Sequence, residues 1–92
     1  MISIVMPVYN DKYYIKDAIN ALLNQSYKHF ELIIIDDASK DGVLEIIETY
    51  KDKRIILIKN KFNEGVSISR NKGLAISKGK YIFFEIVTKN NL

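Results

Sequence analysis

The sequence predicts an α/β fold of three layers, α/β/α, in which helices cover both faces of a mostly parallel sheet. Short isoleucine-rich runs, of which Leu32–Asp36 is the clearest, are typical of strands that are buried on both faces. These runs alternate with segments of helical periodicity, and strand–helix–strand alternation implies right-handed crossovers between parallel strands. The predicted order of elements is therefore β-α-β-α-β-α-β.

The composition limits the class of protein. With 92 residues, of which 48% are hydrophobic, the chain is predicted to be one small domain with a core. It has no cysteine, which excludes disulfides and thiolate metal sites, and no apolar run of about 18 residues, so no transmembrane segment is predicted. The N-terminus lacks the features of a signal peptide, and a cytoplasmic location is expected. The net charge of +3 comes from scattered lysines, which mildly favours an anionic ligand and gives no indication of nucleic acid.

The first three predicted elements are a strand, a helix and a strand. The first strand is predicted at Ile2–Val8, and Asn10 or Asp11 is expected to cap the helix that follows it. This helix should end near Asn24, and a polar turn then leads to the strand that begins at Phe30. Apolar residues recur at helical spacing and form one stripe. They are Ile15, Ala18, Ile19, Leu22 and Leu23.

A second helix and a third strand follow. Asp41 is expected to cap the second helix. The third strand is predicted at Arg54–Lys59, and the segment Asn60–Gly65 is a polar loop that contains a glycine. The predicted buried stripe of the second helix consists of Val43, Ile46, Ile47 and Tyr50.

The last predicted elements are a third helix, from about Val66 to Ser77, and a fourth strand at Tyr81–Phe84. Gly79 is expected to stop this helix at its C-terminal end. Gly73 lies inside the helix, where glycine costs about 1 kcal/mol against alanine, so close backbone packing is the expected reason for it. The last eight residues, from Glu85, show no clear pattern.

Two adjacent carboxylates, Asp36 and Asp37, end the most apolar strand. Carboxylates at the end of a buried strand are costly to desolvate, and ligands of open α/β sheets bind at the carboxyl ends of strands. The pair would suit a sugar edge, a base N–H or a metal ion. The alternative is a solvated loop in which Asp37 or Ser39 merely closes a turn.

Other polar residues near the predicted strand ends also allow two interpretations. Tyr9 would offer an aromatic ring on which a base stacks, and Asn10 a polar side chain that bonds to the base. The alternative is a helix cap with a half-buried tyrosine. Arg70 and Lys72 would meet phosphate near a helix start, or they are surface residues. His29 is expected in a solvated turn. The two common glycine-rich phosphate-loop motifs are absent, which argues against a nicotinamide or ATP site.

Three segments resemble the N-terminal half of family 2 glycosyltransferases, which are inverting, nucleotide-sugar-dependent enzymes. They are PVYN at Pro7–Asn10, LLNQSYKHFELIIIDDASKDG at Leu22–Gly42, and NEGVSISRNKGLAISKGKYIFF at Asn63–Phe84. The resemblance extends from Ile2 to about Glu85, with the motifs in the family's order and spacing. It implies the Rossmann-like, nucleotide-binding half of the GT-A fold.

The resemblance also implies roles for single residues. Pro7 and Tyr9 would line the nucleoside pocket, with the tyrosine against the base, and Asn10 belongs to the same segment. Asp37 would accept a hydrogen bond from uracil with Asp36 in support, and Arg70 would lie near the diphosphate or the donor sugar. The expected donor is a UDP-sugar, and the expected cofactor is Mn²⁺ or Mg²⁺ bridging the diphosphate.

The chain departs from the family after its fourth predicted strand. An Asp-x-Asp motif is expected there, but Ile86 and Thr88, on either side of Val87, stand where the carboxylates belong. The acceptor-binding half with the catalytic base is also missing, so no catalytic and no metal-binding residue is assigned. The chain is thus expected to be a truncated single domain spanning 1–92. A frameshift, a diverged sequence or a chosen chain boundary would each explain the departure.

Three functions remain open from the sequence. The first is the donor-binding half of a glycosyltransferase, and the second is a catalytically inactive nucleotide-binding module. The third is an unrelated flavodoxin-like domain, which would show no preference for uridine nucleotides. The fourth strand is expected to be an exposed sheet edge, and exposed edges invite pairing with another chain, so self-association is a further expectation.

Overall fold

The computed structural model describes residues 1–87, which form a four-stranded, wholly parallel sheet with three helices. None of these helices is long and apolar enough to cross a membrane. The predicted α/β class and the order of the elements are confirmed. In chain order the elements are β1 (Ile2–Val8), α1 (Ile15–Leu23), β2 (Phe30–Asp36), α2 (Val43–Glu48), β3 (Ile55–Lys59), α3 (Val66–Ile76) and β4 (Tyr81–Phe84).

The strands lie in the order β3-β2-β1-β4, so the direction of winding reverses after β3. The first two crossovers carry the chain from β1 outward to β3, and the third returns it to the other side of β1. Ile2 is accordingly paired with Phe30 on one side and with Tyr81 on the other. The gap between β1 and β4 is therefore the switch point of the sheet, where ligands of open α/β folds bind.

Helices α1 and α2 cover one face of the sheet. Alternate residues of β1 and β2 point to this face because successive side chains of a strand project to opposite sides. Fully burying one such apolar side chain stabilises the fold by about 1.5–3 kcal/mol. The buried cluster here includes Ile4, Met6, Val8, Leu32 and Ile34 from the strands and Ile15, Ile19, Val43 and Ile47 from the helices.

Helix α3 covers the opposite face, above Val5, Ile33 and Ile35. A β-carbon placed on Gly73 would lie 2.5 Å from Val5 Cγ1 and 2.9 Å from Ile35 Cδ1. No real side chain tolerates such distances, so α3 sits at this depth only because residue 73 is glycine. The close packing expected from the sequence is confirmed.

A buried hydrogen-bonded cluster ties the α3–β4 connection to the amino ends of β1 and β2. The Glu31 carboxylate accepts the hydroxyl proton of Ser3 and, at 2.7 Å, the backbone amide proton of Lys78. The Gly79 amide donates to Ser3 Oγ at 2.8 Å. Gly79 was expected to stop α3, which is wrong: the helix ends at Ile76, and a β-carbon on Gly79 would lie 2.5 Å from Ser3 N. This close approach to Ser3 explains why residue 79 is glycine.

The expected cap of α1 is also wrong. Neither Asn10 nor Asp11 caps the helix with its side chain, and the N-cap residue is Tyr14. The backbone carbonyl of Asp11 accepts the amide protons of Tyr14 and Ile15, both at 3.0 Å. The side chains of Asn10 and Asp11 are bonded elsewhere, so they are not available to the helix.

Two further boundaries differ from the prediction. The N-cap of α2 is Gly42 rather than Asp41, although Asp41 Oδ1 accepts the amide proton of Val43 at 3.1 Å. Tyr50 lies beyond the end of α2 but still packs against the core. Strand β3 begins one residue after Arg54 because the Arg54 amide donates to the Asp52 carboxylate at 2.9 Å.

Candidate functional site

A cleft of about 420 Å³ opens at the carboxyl edge of the sheet, at the switch point between β1 and β4. Its walls come from the ends of these two strands, from the end of β2 and from the start of α3. Sites for small organic ligands in proteins are about 300–1,000 Å³ in volume. The lining residues are Pro7, Val8, Tyr9, Asp11, Asp37, Asn63, Gly65, Val66, Ile86 and Val87.

The β1–α1 loop supplies one wall. Pro7 and Val8 end β1, and Tyr9 follows with 45% of its surface exposed. The Tyr9 amide donates to Asp11 Oδ2 at 3.1 Å, which holds the loop in a tight turn. Asp11 itself is buried. The loop thus offers an accessible aromatic side chain on a fixed backbone.

Asp37 lies in the cleft wall and joins the end of β2 to the start of α3. Its Oδ1 accepts hydrogen bonds from Asn60 Nδ2 at 2.9 Å and from the Glu64 amide at 2.8 Å. Its Oδ2 accepts the Gly65 amide proton at 3.0 Å. An ionised carboxylate has about four acceptor positions, so about one remains for a further donor.

The surroundings of Asp37 keep its carboxylate ionised. Burial alone would raise the pKa of Asp37, but its hydrogen bonds and the positive charge of Lys72 outweigh burial, so the pKa lies below its ordinary value. Lys72 Nζ reaches this cluster by donating to Asn60 Oδ1 at 2.8 Å and by pairing with Glu64. The cleft therefore presents a fixed negative acceptor.

Asp36 is placed differently from its neighbour. The even-numbered residues of β2 face α1 and α2, and by the alternation of a strand Asp36 faces the same side. It does not line the cleft. It is 2% exposed, and its Oδ1 has no hydrogen-bond partner in the part of the chain that the structure describes. Burial raises the pKa of Asp36; hydrogen bonds from Ser39 lower it in part. The two aspartates therefore have different hydrogen-bond partners, although the negative charge of Asp37 contributes to raising the pKa of Asp36.

Asn10 lies outside the cleft lining and braces two loops against each other. Its Oδ1 accepts the Lys40 amide proton and its own amide donates to Ser39 Oγ, both at 2.9 Å. The φ of Asn10 is 53°, in the left-handed region that asparagine tolerates better than most residues. The nearby Lys12 amide donates to Asp41 Oδ2 at 2.9 Å. These bonds fix the position of the loop that carries Tyr9.

The basic residues of α3 lie in mid-helix rather than at its start. The guanidinium carbon of Arg70 is 5.8 Å from the centroid of the Phe84 ring, and Arg70 is not among the cleft-lining residues. Its Nε is buried and lacks a hydrogen-bond partner within residues 1–87. Lys72 is engaged by Glu64 and Asn60. His29 is exposed in the connection between α1 and β2, with its ring centroid 6.5 Å from that of Tyr27.

The donor set at the expected metal position does not fit a divalent cation. Hard cations take oxygen ligands, whereas Ile86 and Val87 line the cleft with hydrocarbon. Thr88, the other position where the sequence departs from Asp-x-Asp, lies outside the described residues. Within residues 1–87 no three histidine, cysteine, aspartate or glutamate side chains gather where they would hold a metal ion.

The β3–α3 loop is the part of the site that sequence reasoning missed. Asn60 and Glu64 bind Asp37, while Asn63, Gly65 and Val66 line the cleft. Two features of the sequence pointed to this loop: Asn60 follows a predicted strand directly, and Gly65 precedes a predicted helix. The structure gives Gly65 a φ of 91°, which favours glycine. Their long-range partner, Asp37, is not deducible from either signal.

The arrangement suits a flat polar ring. Tyr9 and the apolar side chains of the lining provide surfaces for stacking, and Asp37 accepts a proton from a ring N–H. Among the described lining residues there is no lysine or arginine. The described lining therefore offers no cationic side chain to a phosphate group.

Comparison with known proteins gives a consistent result. Residues 3–84 match the sequence model of the family described as glycosyl transferase family 2. The chain is 44% identical over 84 residues to the UDP-Glc:alpha-D-GlcNAc-diphosphoundecaprenol beta-1,3-glucosyltransferase WfaP of Escherichia coli, a match that covers 91% of this chain and 34% of WfaP. The chain spans about a third of the length of the first curated relatives that it matches.

Solved structures share the fold. The structure of S. aureus TarS 1–349 in complex with UDP-GlcNAc matches with a TM-score of 0.87 and 30% identity, over 94% of this chain and 26% of that one. The mannosyltransferase PcManGT of Pyrobaculum calidifontis, in complex with GDP-Man and Mn²⁺, matches with a TM-score of 0.81 over 88% of this chain and 25% of that one. Its identity of 23% supports the fold alone.

Proposed function

The chain belongs to glycosyl transferase family 2, and from this premise we propose that it is the donor-binding half of an inverting glycosyltransferase that uses a UDP-linked sugar. The observation that carries the proposal is the cleft at the switch point, with Tyr9 and the ionised Asp37 on its walls. The names of two relatives support the choice of nucleotide: WfaP is named for UDP-Glc, and TarS was solved with UDP-GlcNAc.

In this proposal the nucleoside occupies the described cleft. Pro7 and Tyr9 contact the base, and the free acceptor position of Asp37 takes the N–H of the uracil ring. A guanine or adenine ring would not present the same single N–H at the same distance, which gives the cleft a basis for choosing uracil.

Three residues outside the cleft lining have supporting roles in the proposal. Asn10 is a positioning residue, because it braces the loop that carries Tyr9 against the β2–α2 loop. Asp36 supports the same region from the other side of β2. Arg70, whose Nε lacks a partner among the described residues, would turn toward the diphosphate or the donor sugar.

The proposed reaction needs groups that residues 1–87 do not supply. In the whole protein, a base would take a proton from an acceptor hydroxyl, whose oxygen attacks the anomeric carbon while UDP leaves, so that the configuration inverts. The part played by this chain is to bind and orient the donor.

A second candidate is a truncated domain, residues 1–92, that binds a nucleotide and catalyses nothing. The specific observation in its favour is the hydrocarbon wall of Ile86 and Val87 where the family resemblance leads one to expect carboxylates. An assay with UDP-sugars and manganese separates the two candidates, since only a competent enzyme releases UDP. Both candidates require uridine nucleotide binding.

Titration with UDP, followed by the backbone NMR signals of the chain, tests the shared requirement. We expect saturable shifts at Tyr9, Asp37 and Val66, with little change when manganese is added. GDP is the matched control, because it has the same diphosphate and a different base. Equal responses to UDP and GDP, or none to either, would contradict a uracil-selective cleft.

A cytoplasmic location, expected from the sequence, is part of the same proposal. Fractionation of cells that express the chain from its own gene tests it. We expect recovery in the cytosolic fraction after high-speed centrifugation. Recovery in the membrane fraction that resists a salt wash would contradict this part.

A further inference from the structure

We propose that Lys72 is a positioning residue for the uracil site: acting through Asn60 and Glu64, it holds the Asp37 carboxylate in the orientation that presents a free acceptor position to the cleft. This inference rests on the proposed function, since it concerns how the acceptor for the uracil N–H is held. Lys72 lies within α3 and is not among the described cleft-lining residues, so its effect on a nucleoside passes through other groups.

The side-chain amide of Asn60 connects Lys72 to Asp37. Its Oδ1 accepts a proton from Lys72 Nζ at 2.8 Å, and its Nδ2 donates to Asp37 Oδ1 at 2.9 Å. Nδ2 also donates to Ser69 Oγ at 3.1 Å. An ammonium group only donates and an ionised carboxylate only accepts, so a single orientation of the amide satisfies both neighbours. Lys72 therefore fixes which end of the Asn60 amide faces Asp37.

This connection is shielded from water. Asn60 is 7% exposed, and Ser69 is fully buried. Hydrogen bonds are stronger in such surroundings, and a buried polar group left without a partner is costly. The backbone amide of Asn60 also donates to Asp36 O at 2.9 Å, which ties the residue to the end of β2. The Asn60 side chain is therefore held on Asp37 as long as Lys72 occupies its oxygen.

Glu64 gives Lys72 a second path to the same carboxylate. The Glu64 amide donates to Asp37 Oδ1 at 2.8 Å, and its side chain pairs with Lys72 Nζ. Both donors to Oδ1, from Asn60 and Glu64, thus belong to residues that are bonded to Lys72. Oδ2 accepts the Gly65 amide proton alone, at 3.0 Å. Since each carboxylate oxygen has about two acceptor positions, the position that remains for uracil is on Oδ2.

Lys72 also offsets negative charge around the site. Asp36 precedes Asp37 in the chain, Asp11 lines the same cleft, and Glu64 lies in the adjoining loop. Burial raises the pKa of Asp37, whereas its hydrogen bonds and the positive charge of Lys72 bring this pKa below its ordinary value. Loss of Lys72 would remove that charge and free both groups that bind Oδ1.

Titration of the chain without any ligand tests the hold of Lys72 on Asp37. In Lys72→Met the side chain keeps a good helical preference but has no charge and no donor. We expect the pKa of Asp37, followed by the ¹³C NMR signal of its carboxyl carbon, to be higher than in wild type. Lys61→Met is the matched control, because Lys61 is exposed in the same loop as Glu64, and it should leave this pKa unchanged. Equal pKa values in Lys72→Met and wild type would overturn the proposal.

Binding of uridine and of UDP distinguishes positioning from a direct contact with phosphate. If Lys72 acts by holding Asp37, Lys72→Met should weaken the binding of both ligands by the same factor, about three- to tenfold. Lys61→Met should change neither affinity. A loss confined to UDP would mean that Lys72 binds the diphosphate, and it would overturn the proposal. If wild type binds neither ligand while the pKa of Asp37 still responds to Lys72→Met, the proposed function fails and the hold of Lys72 on Asp37 is retained.

A measurement on the wild-type chain applies even if Lys72→Met fails to fold. Because Asn60 Nδ2 is bonded to Asp37 and Asn60 Oδ1 to Lys72, protonation of Asp37 should change the surroundings of the whole connection. We expect the side-chain NMR signals of Asn60 and Lys72 to titrate with the same midpoint as the Asp37 carboxyl carbon. Signals that do not follow Asp37 would contradict the proposed connection.

Discussion

Asp36 and Asp37 are adjacent in the chain, yet their carboxylates lie on opposite sides of the sheet. Asp37 is bonded to Asn60 and to two backbone amides on the α3 side, whereas Asp36 lies on the side of α1 and α2 with one oxygen unpartnered among the described residues. The pKa of Asp37 is lowered and the pKa of Asp36 is raised. Their effects on stability should therefore depend on pH in opposite ways.

Asp37→Asn is expected to cost about 2 kcal/mol at neutral pH, because charged hydrogen bonds to Asn60 and the α3 backbone are lost. The stabilisation from a carboxylate whose pKa is lowered on folding is present above its unfolded pKa, near 3.9, and is lost as pH falls through the folded pKa. The difference in free energy of unfolding between wild type and variant, measured by urea unfolding, should therefore become smaller as the pH is lowered from about 7 to about 3.

Asp36→Asn should show the opposite trend. A carboxylate whose pKa is raised on folding contributes most below its unfolded pKa, and this contribution is lost as pH rises through the folded pKa. The free energy of unfolding of the variant, relative to wild type, should therefore increase from about pH 3 to about pH 7. The same slope for both variants would show that the two carboxylates have similar surroundings.

Ala38 follows the two aspartates with a φ of 62°. This left-handed conformation costs an alanine about 1–2 kcal/mol, which exceeds the extra chain entropy that a glycine loses on folding. Ala38→Gly should therefore raise the free energy of unfolding by about 0.5–1 kcal/mol in urea titrations. Ala21→Gly, at an exposed position in α1, is the control and should lower it by about 1 kcal/mol. A loss of stability in both variants would refute strain at Ala38.

Gly73→Ala tests the close contact between α3 and the sheet. The added methyl group would overlap Val5 and Ile35, and overpacking of this kind costs about 1–3 kcal/mol, more than the helical preference of alanine returns. We expect a lower urea midpoint. Asn71 is exposed on the same helix, so Asn71→Ala adds the helical preference of alanine without any overlap and should be slightly stabilising. A stable Gly73→Ala variant would mean that α3 lies farther from Val5 than described.

Tyr9→Ala tests the aromatic wall of the cleft. Stacking of a base on an aromatic side chain is worth about 1–3 kcal/mol, so the affinity for UDP should fall about tenfold or more. Isothermal titration calorimetry measures the change. Tyr27→Ala is a matched control, because Tyr27 is 47% exposed against 45% for Tyr9 but does not line the cleft. Equal losses in both variants would argue against a base on Tyr9.

The strands and helices were predictable because each buries a periodic set of apolar residues. The bounds of β1, α1 and β4 follow directly from this pattern, since polar or turn-forming residues flank each run. The expectation for Gly73 also succeeded, because a glycine inside a helix needs a reason and a close neighbour is the simplest one. Periodicity thus determined the elements and the faces that they bury.

The side-chain contacts between distant loops were not predictable. Asn10 has the residue type of a helix cap, but Ser39 and Lys40 take its hydrogen bonds. Asp37 is bonded to Gly65, 28 residues away, through a loop whose course depends on the whole sheet. Such contacts follow from the order of the strands, which periodicity alone does not specify.

The position of β1 has a consequence for synthesis of the chain. It is made first among the described strands, yet its two neighbours are β2, made soon afterwards, and β4, made last among the described elements. The pairing of Ile2 with Tyr81 cannot form until nearly all of this chain has emerged. Until then the backbone groups on one edge of β1 are unpaired, and we expect chaperones to bind the nascent chain until β4 has been synthesised.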